Sequence, residues 1–141
     1  YCHNSYAAQV ITVSEKNGLP KADKVFSAMD CGIVVNPIAA SNMVQGAVID
    51  GVGNAMYGEM TFTDGKPDKD NFDRYRMIRM NEIPASVDVS FVKNTIDPTG
   101  LGEPPFPPVF AALANALYQQ TGERFYEQPF IHQLQKISKS A

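Results

Sequence analysis

The 141-residue chain is poor in the side chains that usually advertise chemistry: it has two cysteines, two histidines and no tryptophan. Cys2 and Cys31 make neither a disulfide framework nor a Cys-x-x-Cys pair. His3 stands beside Cys2, but two adjacent residues near a chain end lack the spaced partners that a metal needs, and His132 stands alone. The expectation is no protein-built metal site. Histidines so placed also exclude Ser-His-Asp and Cys-His nucleophilic arrangements. Positive charge is scarce. Lys and Arg number 12 against 15 Asp and Glu, a net charge of −3, so the basic face that nucleic acid requires is missing. No apolar run approaches the ~20 residues of a membrane span. No basic stretch followed by an apolar one marks a signal peptide, and the compartment is left open. There is no Walker loop, and Gly51, Gly53 and Gly58 lack the strand–turn–helix setting of a dinucleotide fingerprint.

What is present is material for a core. Apolar residues make up 44% and charged residues 19%, the balance of a globular chain and not of a disordered acidic one. The length fits one domain, and no linker, repeat or low-complexity tract divides it, so residues 1–141 read as a single unit. The chain opens Tyr1-Cys2-His3-Asn4 and runs into strand-like sequence almost at once. A compact piece cut from a longer polypeptide is the expectation.

Residues 6–14 are rich in β-formers, and the turn at Asn17-Gly18 predicts a hairpin with a return strand over 24–29. Asp30-Cys31-Gly32 is a break. Asn36-Pro37 suits a helix cap and first position, and the spacing predicts a helix over 41–57 with Val44, Val48, Val52 and Ala55 on one face. Gly46, Gly51 and Gly53 lie inside it, each costing about 1 kcal/mol against alanine. Such a helix either packs very close to another backbone or approaches a ligand. Asp64-Gly65 marks a second hairpin, and residues 74–80 are ambiguous between strand and irregular chain. Val87, Val89 and Phe91 alternate with Ser86, Asp88 and Ser90 as in a half-buried strand. A proline-rich loop over 99–108 leads into a helix over 109–121 that Gly122 ends. Residues 125–131 read as a short final strand and 138–141 as a loose tail. The fold class is α+β: a mainly antiparallel sheet with two principal helices packed on it.

Glu103 is the most informative carboxylate. It sits between Gly102 and Pro104, in a stiff loop ahead of a helix N-terminus whose dipole favours an anion. A general base needs such fixed placement. A capping or loop-closing glutamate is the other reading. Pro104-Pro105-Phe106-Pro107-Pro108 also contains the Pro-x-x-Pro spacing of polyproline ligands. Arg74, Arg76 and Arg79 form either an anion site or a set of ion pairs.

Taken together, several motifs resemble the C-terminal part of the molybdopterin-binding large subunit of molybdenum hydroxylases, the xanthine dehydrogenase and aldehyde oxidase family. The isoquinoline 1-oxidoreductase β-subunit type is the branch they resemble most. The motifs are Met29-Asp30-Cys31-Gly32-Ile33-Val34-Val35-Asn36-Pro37, the segment from Gln45-Gly46 to Gly58-Glu59, Asn71-Phe72-Asp73-Arg74-Tyr75-Arg76, Arg79-Met80-Asn81-Glu82-Ile83-Pro84, and Gly100-Leu101-Gly102-Glu103-Pro104-Pro105. They run in family order over nearly the whole chain.

The resemblance implies that Glu103 is the base that takes a proton beside the molybdenum. The reaction would hydroxylate an aldehyde or N-heterocycle at an electron-poor carbon with oxygen from water. The family's pterin-contacting glutamine falls at Met43 in this chain, and Gln45 stands two residues later. Gln45 and Gly102 are the candidate cofactor contacts. The resemblance further implies a C-terminal piece of a molybdopterin-binding domain, with iron–sulfur clusters on a separate small subunit or domain. Partners would be the remainder of the large subunit, the iron–sulfur subunit and the substrate. The chain alone is expected to hold no molybdenum, to be inactive and to self-associate. A non-catalytic module that binds a partner protein through the proline-rich loop or a sheet face is the alternative.

Overall fold

In the computed structural model, which describes residues 3–16 and 18–140, two long strands reverse direction around the expected turn. β1 (Tyr6–Lys16) and β2 (Leu19–Asp30) pair antiparallel, from Tyr6 opposite Asp30 to Lys16 opposite Leu19. Gly18 takes φ +75, while Asn17 lies outside the described residues. β2 begins five residues before the predicted return strand. A bulge explains the difference: the register shifts beside Thr12 and Val13 and leaves Asp23 without a partner on β1. Ala22 and Val25 therefore both face the core, which breaks the period of two by which a strand is read. The freed Asp23 carbonyl accepts the Ala85 N–H at 2.6 Å.

The chain leaves β2 at Gly32, where φ is +74 and any Cβ would overlap the Asp97 carbonyl oxygen, so only glycine fits. Helix α1 (Pro37–Tyr57) follows, with Pro37 in its first turn and the Asn36 side chain accepting from the Ala39 N–H at 3.1 Å. Val44, Val48, Val52 and Ala55 are all buried on its inner face, as the spacing predicts. β3 (Phe62–Thr63) and β4 (Lys66–Pro67) form the second hairpin, with positive φ at both Asp64 and Gly65. Residues 68–85 are irregular, including 74–80.

β5 (Ser86–Phe91) turns Val87, Val89 and Phe91 toward the core and adds parallel to β2, giving the sheet order β1-β2-β5. Helix α2 (Pro108–Thr121) packs on β1 and α1 and ends at Gly122, whose φ is 74. The sequence-based reading of 125–131 as a strand and of 138–140 as loose is corrected here. Phe125 is buried, and the chain enters a third helix, α3 (Phe130–Ser140), directly after Pro129. Phe130, Leu134 and Ile137 recur at helical spacing and meet the core. Met29, Val48, Leu113, Leu117 and Leu134 are at most 1% exposed and join sheet and helices. Full burial of each such side chain is worth about 1.5–3 kcal/mol. No helix among the described residues is long and apolar enough to cross a membrane.

Candidate active site on the proline-rich loop

The segments that follow β2 and β5 run side by side. Ile33 N–H donates to Ile96 O at 3.0 Å, and Thr99 N–H donates to Cys31 O at 2.9 Å. This pairing returns the 99–106 loop over the start of β1, where it is anchored twice. At its near end, Gly100 N–H donates to His3 O at 3.1 Å. Ser5, only 1% exposed, donates to the Gly100 carbonyl and hydrogen-bonds the Thr99 hydroxyl at 2.7 Å. At its far end, Gln9 Nε2 donates to Pro105 O at 2.7 Å. Pro104 and Pro105 are buried, and Phe106 N–H closes a turn on Glu103 O at 3.0 Å.

Glu103 rides on the arch between these anchors. Its side chain is exposed and makes no hydrogen bond or ion pair to any described residue. It does not cap α2, whose N-terminus has no side-chain cap. A Cβ on Gly102 would lie 3.5 Å from Met43 Cε, so the arch rests against the early turns of α1. The structure thus brings Gly102, Glu103 and the half-exposed Met43 together. Gln45 is placed otherwise: its Nε2 donates to Val87 O on β5 at 3.1 Å. Two of the three α1 glycines are spaces for neighbouring protein. A Cβ on Gly51 would meet Val109 of α2 at 2.9 Å, and one on Gly53 would meet Ile78 at 2.9 Å.

Cys31 and two of the three candidate arginines are already engaged. Burial, and then the neighbouring Asp30, push the Cys31 thiol above its ordinary pKa, which keeps it protonated. Among the described residues no cluster of three His, Cys, Asp or Glu side chains is placed to hold a metal. Arg74 pairs with Asp70 at 3.2 Å, and Arg76 pairs with Glu82 while lying 4.2 Å over the Tyr57 ring. The polyproline reading needs an exposed extended segment, but Pro104 and Pro105 are buried and form the centre of a turn.

Sequence reasoning missed a cavity of about 470 Å³ between the β1–β2 turn, the end of α1 and the start of α3. Tyr57, Glu59, Lys69, Arg76, Glu82 and His132 contribute to its wall. Met43 and Tyr57 are separated by about 21 Å of helix, so this cavity lies far from Glu103. Its charges are largely mutually paired, with Lys69 at 3.1 Å and His132 at 3.9 Å from Glu59. No sequence spacing could have revealed it, because its walls come from separate elements.

The model of the molybdopterin cofactor-binding domain matches residues 1–84. The chain is 29% identical over 119 residues to the membrane-bound aldehyde dehydrogenase (pyrroloquinoline-quinone) of Gluconacetobacter polyoxogenes, covering 84% of this chain and 15% of that protein. It is 31% identical over 106 residues to the xanthine dehydrogenase molybdenum-binding subunit of Escherichia coli O157:H7, covering 71% of this chain and 14% of that subunit. The aldehyde oxidoreductase structure from Desulfovibrio desulfuricans superposes with a TM-score of 0.79 at 20% identity, covering 96% of this chain and 15% of that one. The chain therefore spans about one seventh of the length of the curated relatives named here. With well over half of its residues matched by that model, the chain belongs to the molybdopterin cofactor-binding domain family.

Proposed function

We propose that this chain is part of the catalytic subunit of a molybdenum hydroxylase and that Glu103 is its general base. The residues present fit the molybdenum cofactor. An exposed carboxylate without a partner among the described residues stands beside Gly102, which has no side chain to obstruct an approach, and beside the half-exposed Met43. The described residues offer no cluster of metal-binding side chains, so the metal would come held by its own cofactor. When bound, that group supplies the redox chemistry by which an aldehyde or N-heterocycle is hydroxylated with oxygen from water.

The chain's own part is to position and to move a proton. Glu103 Oε accepts it and holds it. The double anchoring of 99–106 on β1 keeps that carboxylate at a fixed height, and buried Pro104 and Pro105 limit backbone motion beside it. Gly102 would allow close approach to the cofactor, and Gln45, tied to Val87 O, would be a further contact to it. The remainder of the large subunit and an iron–sulfur subunit would complete the enzyme.

The observation that carries this reading is an exposed carboxylate on a doubly anchored arch, with no partner among the described residues. In the intact enzyme, Glu103→Gln should leave molybdenum content unchanged and lower turnover by at least about 10²–10⁴-fold, the usual worth of a positioned base. Turnover near the wild-type rate in a fully loaded variant would remove the assignment.

A further inference from the structure

Gln9 is half-buried on the inner face of β1, and its side-chain amide is used unevenly. Nε2 donates to Pro105 O at 2.7 Å and to Ser27 Oγ at 3.3 Å, whereas Oε1 is buried with no hydrogen-bond partner. A buried acceptor left unpaired is costly, so an amide at this place is a liability for the fold unless its donor matters. Among the described residues that donor is the only side-chain donor on a carbonyl of the Glu103–Pro105 stretch. Pro104 and Pro105 have no N–H of their own, so neither can donate to a neighbouring segment, and the Pro105 carbonyl is the group by which this part of the arch is tied to β1. Ser5, four residues earlier on the same strand face, grips the other end of the arch at Thr99 and Gly100.

We infer that Gln9 is a positioning residue: through Pro105 it sets the height of the Glu103 carboxylate. The inference rests on the reading of Glu103 as base. Gln9 touches no reacting atom and acts only through the loop. Loss of its donor frees the far anchor while Ser5 still holds the near one, so the arch lifts without unfolding. Gln9→Leu is a suitable variant. It removes the orphaned Oε1 and leaves Pro105 O unpaired instead, so the two effects on stability oppose each other.

The test uses the intact molybdenum enzyme containing this chain, with Gln9→Leu, Glu103→Gln and the double variant. Gln9→Leu should keep molybdenum content and KM while kcat falls about 10–100-fold, the scale of a misplacement near 1 Å. Hydrogen–deuterium exchange at the Phe106 amide should quicken, and this readout does not depend on turnover. The double variant should be no slower than Glu103→Gln alone, because Gln9 works through that carboxylate. Unchanged kcat, unchanged exchange at Phe106, or additive losses in the double variant would each overturn the positioning role. Wild-type turnover in Glu103→Gln would instead sink the base assignment, and the exchange measurement would still report on the clamp. If Gln9→Leu fails to fold, Gln9→Asn, which keeps the amide but shortens its reach, should show the same kcat loss and faster exchange; wild-type kcat in it refutes the inference.

Discussion

Gly51 and Gly46 share helix α1 but answer to different physics. A methyl at Gly51 would press on Val109 of α2 at 2.9 Å, so Gly51→Ala should cost about 1–3 kcal/mol in denaturant unfolding through overpacking. Gly46 has nothing within 4 Å of the same methyl, so Gly46→Ala should add about 0.4–1 kcal/mol by restricting the unfolded chain. Equal effects at the two sites would contradict the packing described. Residues of this kind differ in how far sequence reveals them. Glu103 was visible because glycine and proline flank it and no apolar period claims it. Gln9 was not, since a polar residue in an alternating strand reads as solvent-facing and its partner Pro105 lies 96 positions away. Gln45 shows the same limit: its bond to Val87 depends on how α1 lies across β5.

Among the elements, the irregular 68–85 segment is the one most dependent on polar ties. Arg76 binds Glu82 and stacks on Tyr57, which fastens the segment to the last turn of α1. Burial pushes the Glu82 carboxyl up, but hydrogen bonds from Arg76, the Arg79 N–H and Tyr57 outweigh it and hold the carboxyl below its ordinary value. Tyr57 is raised, first by burial and then by the Glu82 charge. A carboxyl with a depressed folded pKa stabilises fully above its unfolded pKa, and the gain is lost as pH falls through the folded one. Thermal unfolding of the wild type should therefore exceed that of Glu82→Gln at neutral pH, with the gap closing as pH drops through and below the ordinary carboxylate range. A gap independent of pH would refute the ion-pair account. The strands and helices were legible where a period ran unbroken, as in α1, α2 and β5. They were hidden where the period changed phase at the Asp23 bulge, and in α3, where β-forming Phe130 and Ile131 opened a helix fixed in place by Leu134 packing.

For the molecule as a whole, the fold class followed from the order of strands and helices, while the parallel placement of β5 rests on long-range packing that no local pattern encodes. Large apolar side chains face solvent at several places: Val35 is 82% exposed, Ile38 78%, Phe72 84% and Met80 83%. Exposed apolar side chains mark sites of contact where they gather into one patch. The purified chain by itself should sediment as self-associated species at micromolar concentration and carry no stoichiometric molybdenum; a monomer at that concentration would contradict the surface reading, and bound molybdenum the expectation that the remainder of the large subunit is needed to hold the cofactor. The account stands or falls on where one carboxylate points. A structure of the intact enzyme with molybdenum located by its anomalous scattering would decide it. The account predicts Glu103 facing the molybdenum centre with no protein partner, and a Glu103 turned away into an ion pair elsewhere would contradict it.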